Sequence, residues 1–310
     1  MKPPTLSVLI SCYNYGRYVQ EAVRSALEQT RPVEEVVVVD DGSTDDSWAR
    51  LEALREADPR VVIERTENRG QLAAMVRGVE LTSADIVFFM DADDLLKPHH
   101  TETLAAALER HPYVDYVYSD YEQFGDRQGI HRSFPAGRDH DHGRTALLAK
   151  YGLRTYGGVT STIAVRRRTL LPLLDMPDHW ITEWPAAGDL ALNHFVSLVG
   201  GRKMYLHQDT VRYRVHGEND HLQVAKLPDN AWMERRFRAN RWIQRVAGET
   251  CPGDALLPLI DRETQSTPRL SKIEHRNLVK LIMRSPLPAS ARWGSILAIT
   301  KQRLKASLGS

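Results

Sequence analysis

Four groups of polar side chains, each directly after an apolar run, carry the chemistry this sequence offers. Asp91-Ala92-Asp93-Asp94 follows Ile86-Val87-Phe88-Phe89-Met90, a run apolar enough to be buried on every side. Three acids at the exit of a buried strand repel one another and raise one another's proton affinity unless a cation neutralises them. A hard divalent ion, Mg2+ or Mn2+, is the natural counter-charge, held by one or two carboxylates with phosphate and water completing its shell. A solvated acidic turn leading into the next helix is the other reading. Asp40-Asp41-Gly42-Ser43-Thr44-Asp45-Asp46 offers acceptors, not the backbone N–H cradle of a GxGxxG or GxxxxGK[ST] loop. Carboxylates there suit the N–H or hydroxyl of a uridine better than its phosphates, while a plain strand-ending turn with Ser43 or Thr44 capping a helix is the alternative. The other two groups are Ser11-Cys12-Tyr13-Asn14-Tyr15-Gly16 and Asn68-Arg69-Gly70. Farther along, Asp189 follows a glycine and opens an apolar-periodic segment, a place where the helix dipole alone favours an acid. Arg214 suits a diphosphate or an ordinary surface, and His216 a metal, a diphosphate or a strand end. Trp180 and Trp184 suit a sugar face or a core.

These groups need a scaffold that gathers strand ends. Apolar runs at 6–11, 35–39, 61–65, 86–90 and 114–119 alternate with amphipathic stretches at 19–29, 47–56, 71–81 and 99–111. Strands that are continuous Val/Ile/Phe runs are buried on both faces, the pattern of a parallel sheet covered by helices. In such a sheet ligands bind beyond the carboxyl ends of the strands, so the four groups converge on one edge. The pattern breaks into a polar, glycine-rich loop over 123–143, a length that is usually functional or mobile. A strand at 160–165, a helix from Asp189, strands at 203–206 and 210–215, and helices from Asn230 onward complete the expected order.

Residues 6 to about 120 resemble the inverting family 2 glycosyltransferases of GT-A fold. The resemblance rests on Ser7-Val8-Leu9-Ile10-Ser11-Cys12-Tyr13-Asn14, Val39-Asp40-Asp41-Gly42-Ser43-Thr44-Asp45, Asn68-Arg69-Gly70-Gln71 and Asp91-Ala92-Asp93-Asp94, in that order. It continues to about residue 220 through Gly188-Asp189-Leu190-Ala191-Leu192 and Tyr213-Arg214-Val215-His216. It implies a Rossmann-like, mostly parallel sheet sandwiched by helices and followed by a helical extension. It divides the chain into a GT-A unit at 1–225 and a helical region with a basic tail at 226–310. Within the unit, 1–120 would hold the nucleotide sugar and 121–225 the acceptor. It further implies that Asp41 meets the nucleobase, Asp91 the ribose, Asp93 and His216 a Mn2+ or Mg2+ ion, and Asp189 the acceptor hydroxyl as general base. Ser11, Tyr13, Asn14, Gly70, Ala92 and Arg214 complete the donor site. The sequence departs from the family pattern at Ser11, often Pro; at Met75-Val76, often Arg-Asn; and at Gly188, often Glu.

Length and composition fit this reading. The 310 residues are 42% hydrophobic and 26% charged, ordinary for a globular chain of one or two domains. No apolar run approaches the ~18 residues of a membrane span, and Leu6 follows a short polar start without a leader-like core, so a cytoplasmic protein is expected. Cys12 and Cys251 have no metal or disulfide spacing and are expected to be reduced thiols. The net charge of +1 hides an uneven distribution: 268–310 carries nine basic residues against Glu274 alone, leaving the rest at −7. With Leu278, Leu281, Ile282, Trp293, Ile296, Leu297 and Ile299 among the basic residues, that tail fits either a peripheral anchor on anionic membrane or a helix packed on the domain with a solvated face.

The expected activity is metal-dependent, inverting transfer of a sugar from a nucleoside diphosphate, a UDP-sugar by preference, to a carbohydrate or lipid-linked hydroxyl, as in bacterial-type surface polysaccharide or glycolipid synthesis. No nucleic-acid partner is expected. A nucleotidyltransferase would need a basic, Gly-rich first loop, whereas Cys12 to Gly16 has one glycine and no lysine. A non-catalytic nucleotide-sugar-binding protein would have no use for the acids.

Overall fold

The computed structural model describes residues 3–152, 155–182, 184, 187–217, 229–250, 272–284 and 287–308. Cys251, the domain boundary expected at 225/226 and the start of the basic tail at Pro268 lie outside the described residues.

The first half alternates as its apolar runs require: β1 (Leu6–Cys12), α1 (Gly16–Leu27), β2 (Glu35–Asp40), α2 (Ser47–Ala57), β3 (Val61–Arg65), α3 (Gln71–Leu81), β4 (Ile86–Asp91), the two-residue β5 (Leu95–Leu96), α4 (His100–Arg110) and β6 (Tyr116–Gly125). Then come β7 (Gly129–His131), β8 (His140–Arg144), α5 (Ala146–Gly152), a 3-10 turn (Thr160–Thr162), β9 (Ile163–Arg166), α6 (Arg167–Leu174), α7 (Asp178–Thr182), α8 (Gly188–Leu198) and β10 (Arg202–Val215). Three helices follow: α9 (Asp229–Thr250), α10 (Lys272–Arg284) and α11 (Ala289–Leu308).

The main sheet runs β3-β2-β1-β4-β9-β6-β10-β5, with β7 on β6 and β8 on β10. β3, β2, β1 and β4 are parallel, β9 enters antiparallel to both β4 and β6, and β10 is again parallel to β6. Alternate residues of the central strands feed two cores. Val8, Ile10, Val36, Val38, Phe88 and Met90 meet α1, α2 and α4 on one face, and Leu9, Val87 and Phe89 meet α3, α6 and α8 on the other. Burying each such side chain contributes about 1.5–3 kcal/mol, which makes this the rigid platform for the strand ends. The Cys12 thiol sits in the first core and burial pushes it up to about 12, so it stays a neutral, inert thiol.

Three sequence expectations need correction. The polar segment 123–143 is not loop throughout: β6 runs on to Gly125, and β7 and β8 follow within or across it. Main-chain pairing carries this part, and its buried acid Asp120 is satisfied by Arg132 at 2.8 Å and by the Tyr205 hydroxyl at 2.7 Å. The strands expected at 203–206 and 210–215 form one strand, β10, whose register slips at bulges around Asp209; the polar residues His207 to Asp209 mark irregular pairing, not a turn. The stretch 160–162 is a helical turn, with strand only from Ile163.

Beyond the sheet, α9 packs Trp242, Ile243 and Val246 against Phe195 of α8, and the buried Trp184 makes an edge contact with Trp242 at 4.7 Å. Its indole N–H donates to the Ala187 carbonyl at 2.9 Å, and Trp242 donates to the Trp180 carbonyl at 2.6 Å. Both early tryptophans therefore brace the approach to α8. In the helical extension, Leu278, Ile282 and Ile299 are buried against Ala146 and Leu147 of α5. No helix among the described residues is long and apolar enough to cross a membrane.

Candidate active site

Parallel pairing aligns Ser11 with Asp91 and Cys12 with Asp40, so the loops after β1, β2, β3 and β4 leave the sheet at one edge. There the first two loops clasp each other. Asn14, in left-handed backbone at φ 57°, accepts at Oδ1 from the Thr44 N–H at 2.7 Å, and its own N–H donates to Ser43 Oγ at 2.9 Å. Asn is among the few side chains that tolerate that conformation. Gly42 has φ +73°, and a Cβ there would stand 2.7 Å from the Asn68 nitrogen, so only glycine allows the second and third loops to touch. Asp41 then accepts from the N–H groups of Arg69 and Gly70, both at 2.8 Å. A carboxylate has about four acceptor positions, and these bonds occupy two of them. Tyr13, in the first loop, has 45% of its surface exposed.

The fourth loop gathers the acids. Asp94 is buried, accepting from Ser161 Oγ at 2.6 Å and from the Arg214 N–H at 2.8 Å. Asp91 accepts from Gln71 Nε2 at 2.6 Å, while its backbone N–H donates to Ser161 Oγ at 3.0 Å. Burial, and next the charges of neighbouring acids, hold both carboxyls well above the usual range: Asp93 and Asp189 act on Asp91, Asp93 and Asp91 on Asp94. Asp93, also buried, meets His216 through Oδ2 and Nε2 at 2.8 Å. The imidazole is held against the Tyr18 ring at 5.2 Å. Arg214 donates through Nε to the Asp93 carbonyl at 2.7 Å and through a terminal nitrogen to Glu21 at 2.6 Å, with Tyr18 and Phe124 each 4.5 Å from the guanidinium carbon. Ala92 is fully buried in the first core, backbone included, so the structure does not present it to a ligand.

These donors suit a divalent ion. Asp93 and His216 bring one carboxylate oxygen and one imidazole nitrogen together beside two carboxyls that burial and mutual repulsion disfavour as anions. No group of three or more His, Cys, Asp or Glu among the described residues is arranged to hold a metal. Two protein ligands with the remainder from phosphate and water is an ordinary shell for Mg2+.

Across the edge stands Asp189, second residue of α8 and half-buried. Helix α8 is fixed from below: the Tyr116 hydroxyl donates to Asn193 Oδ1, Asn193 Nδ2 donates to the Gly158 carbonyl at 3.1 Å, and buried Lys203 donates to the Asn193 carbonyl. Burial draws the Lys203 ammonium well below its ordinary range. Ser11, Asn14, Asp41, Gly70, Asp91, Asp93, Arg214 and His216 are thus gathered at the strand ends, with Asp189 close enough to act electrostatically on Asp91. Sequence reasoning missed the hydroxyls of Thr160 and Ser161, the Tyr18 and Glu21 contacts of α1, and the role of Gln71. No local periodicity marks them, because each acts across the fold.

Comparison with known proteins agrees with this architecture. The model of glycosyl transferase family 2 matches residues 7–172. A glycosyltransferase of Nostoc sp. is 29% identical over 221 residues, covering 71% of this chain and 67% of that protein. Glycosyltransferase GlyG of Streptococcus pneumoniae is 32% identical over 135 residues, 43% of this chain and 44% of its own length. Among solved structures, S. aureus TarS in complex with UDP-GlcNAc superposes with a TM-score of 0.59 at 19% identity, covering 99% of this chain and 92% of that one. GalNAc-T7 with UDP, GalNAc and Mn2+ gives 0.52 at 16% identity over 69% and 44%. The fold is that of GT-A glycosyltransferases, and with the family match spanning more than half its length, this transferase belongs to glycosyl transferase family 2.

Proposed function

We propose that the protein moves a sugar from a UDP-sugar to a hydroxyl acceptor with inversion at the anomeric carbon. The observation that carries this reading is the Asp93–His216 pair at the sheet edge beside Asp91, which Gln71 links to Gly188, the residue before Asp189. Asp41 keeps acceptor capacity for the uracil N–H, Tyr13 offers a ring to stack on the base, and Ser11, Asn14, Gly70 and Asp91 surround the ribose and diphosphate. Asp189 takes the proton of the acceptor hydroxyl as its oxygen bonds to the anomeric carbon. The bond from that carbon to the diphosphate oxygen breaks on the opposite face, and its electron pair leaves with UDP. A Mn2+ or Mg2+ ion held by Asp93 and His216 would supply Lewis-acid stabilisation of the charge on the leaving diphosphate. The UDP-GlcNAc named with TarS and the UDP and Mn2+ named with GalNAc-T7 support the choice of donor and metal. In this reading 1–120 serves the donor and 121–225 the acceptor, in the synthesis of surface polysaccharide or glycolipid.

A calorimetric and thermal-shift screen of nucleoside diphosphates tests the donor. UDP with Mn2+ is expected to bind best; at a hundredfold excess over its dissociation constant it should add about 2.7 kcal/mol of stability. Absence of any nucleotide-dependent shift would overturn the reading, and preference for another base would overturn the uridine assignment.

We further propose a peripheral position on the cytoplasmic face of an anionic membrane, which would suit a lipid-linked acceptor. Helices α10 and α11 bury one side against α5, while Trp293, Leu297 and Leu304 stand four and seven residues apart and are each more than half exposed. That spacing makes one outward apolar stripe, on a segment rich in Lys and Arg. Because Leu278 and Ile282 close part of the core, substitution of the stripe tests the idea better than truncation. Changing Trp293, Leu297 and Leu304 together to Ser should weaken low-salt co-sedimentation with anionic vesicles at least tenfold, and salt should release the native protein. Equal sedimentation of both proteins would refute the anchor.

A further inference from the structure

Gln71, the first residue of α3, spans the gap between the donor-side and acceptor-side acids. Its carboxamide nitrogen donates to Asp91 Oδ1 at 2.6 Å, and its carbonyl oxygen accepts from the Gly188 N–H at 2.7 Å. The two bonds fix the orientation of the amide, since a flipped group would set oxygen against carboxylate and NH2 against N–H. Ser11 Oγ at 3.4 Å and Thr160 Oγ1 at 3.5 Å lie at the edge of the nitrogen's reach.

The Gly188 end of this bridge has a distinct meaning. The first N–H groups of a helix have no partner within it, and Ala187 at the N-cap of α8 supplies no side-chain cap. Gln71 satisfies one of these groups from another helix, one residue before Asp189. Glycine at 188 leaves room for this approach: a Cβ there would stand 2.8 Å from Met75 Sδ and 3.2 Å from Gln71 Cγ, and those side chains would have to shift. Two of the three places where the sequence leaves the family pattern, Met75 and Gly188, thus lie against each other beside Gln71. The far end is equally held, because Asp41 fixes the N–H of Gly70, the residue before Gln71.

We infer that Gln71 is a positioning residue that sets the separation and mutual orientation of Asp91 and Asp189, coupling the nucleotide half of the site to the base. Its catalytic consequence rests on the reading of Asp189 as base; the bridge itself does not. Two variants of the full chain test it: Gln71→Met, similar in length and without either hydrogen bond, and Gln71→Glu, which keeps an acceptor for Gly188. The first measurement is amide hydrogen exchange at Gly188, which is independent of activity. Exchange there should quicken at least tenfold in Gln71→Met and stay near the native rate in Gln71→Glu, with the core amides of β1 and β4 unchanged in both. An unchanged Gly188 rate in Gln71→Met would overturn the bridge. The second measurement is kinetic. Gln71→Met should bind UDP with Mn2+ within about threefold of the native protein yet lose at least tenfold in kcat, with acceptor KM little altered. Native kcat in Gln71→Met, or a loss confined to UDP affinity, would overturn the positioning role. If the native protein transfers nothing, the proposed function fails while the exchange measurement still decides the bridge.

Discussion

Asp189→Asn is expected to leave UDP binding and melting temperature near those of the native protein and to lower transfer by ~100-fold or more, the scale of a lost general base. The substitution keeps the size and shape of the side chain and gives up only a favourable helix-dipole interaction of about 0.3–1 kcal/mol, so α8 should retain its place. What vanishes is the ability to take a proton: an amide oxygen accepts a hydrogen bond but does not become a proton carrier at neutral pH. The loss should therefore fall on kcat, with donor affinity and acceptor KM nearly preserved, the pattern of an interaction made only in the transition state. The neighbours argue for this acid over others in the second half. Asn193, Tyr116, Lys203 and Gln71 all hold α8 in place, an investment of buried polar bonds in one helix whose N-terminus faces the acids of the fourth loop. Transfer within a few-fold of the native rate would move the base elsewhere. Glu183 would be the next candidate, and it lies outside the described residues.

The first half of the sheet was legible because its physics is local. Val36 to Val39 and Ile86 to Met90 are apolar on both faces, which only a sheet covered by helices can bury, and each run ends where its acids begin. The continuation was harder to read for reasons that are equally physical. Nothing in Ile163 to Arg166 encodes that β9 enters the sheet reversed between β4 and β6; strand direction is decided by the connections, not by the strand's own residues. The apolar run at 114–119 does not show that its strand runs on through Asp120, whose carboxylate Arg132, Tyr205 and Ser133 satisfy inside the fold. The meeting of Asp93 with His216 joins residues 123 apart in the chain, so it was accessible through resemblance and not through spacing. Gln71 stood within a readable motif, but its partner Gly188 is 117 positions away and is a backbone N–H, which no side-chain pattern announces. The basic tail is readable as anchor or as packed helix, and no local pattern says which side is covered: Ile299 turns inward while Trp293 and Leu297 are exposed.

Asp93→Ala should separate metal from nucleotide. If Asp93 and His216 hold the ion, removing one of two protein ligands should weaken Mn2+-dependent UDP binding at least 100-fold, about 2.7 kcal/mol. Without metal the expected sign is opposite. Asp93 is a buried acid, and its charge is among those that raise the proton affinity of Asp91 and Asp94, so its loss relieves repulsion within the cluster. It also removes a negative charge from the path of an anionic diphosphate. Metal-free UDP binding should therefore be equal or stronger in the variant, while the melting temperature should stay near the native value, because the relieved repulsion is offset by loss of the buried bond to His216. A generally damaged protein would lose both modes of binding and stability together, which makes the crossed pattern diagnostic. His216→Ala should reproduce the weaker metal-dependent binding without the metal-free gain, because it removes a ligand but no negative charge. Undiminished metal-dependent affinity in Asp93→Ala would overturn its assignment as ligand and leave Asp91 and Asp94, already occupied by Gln71, Ser161 and the Arg214 N–H, as the remaining acids of that loop.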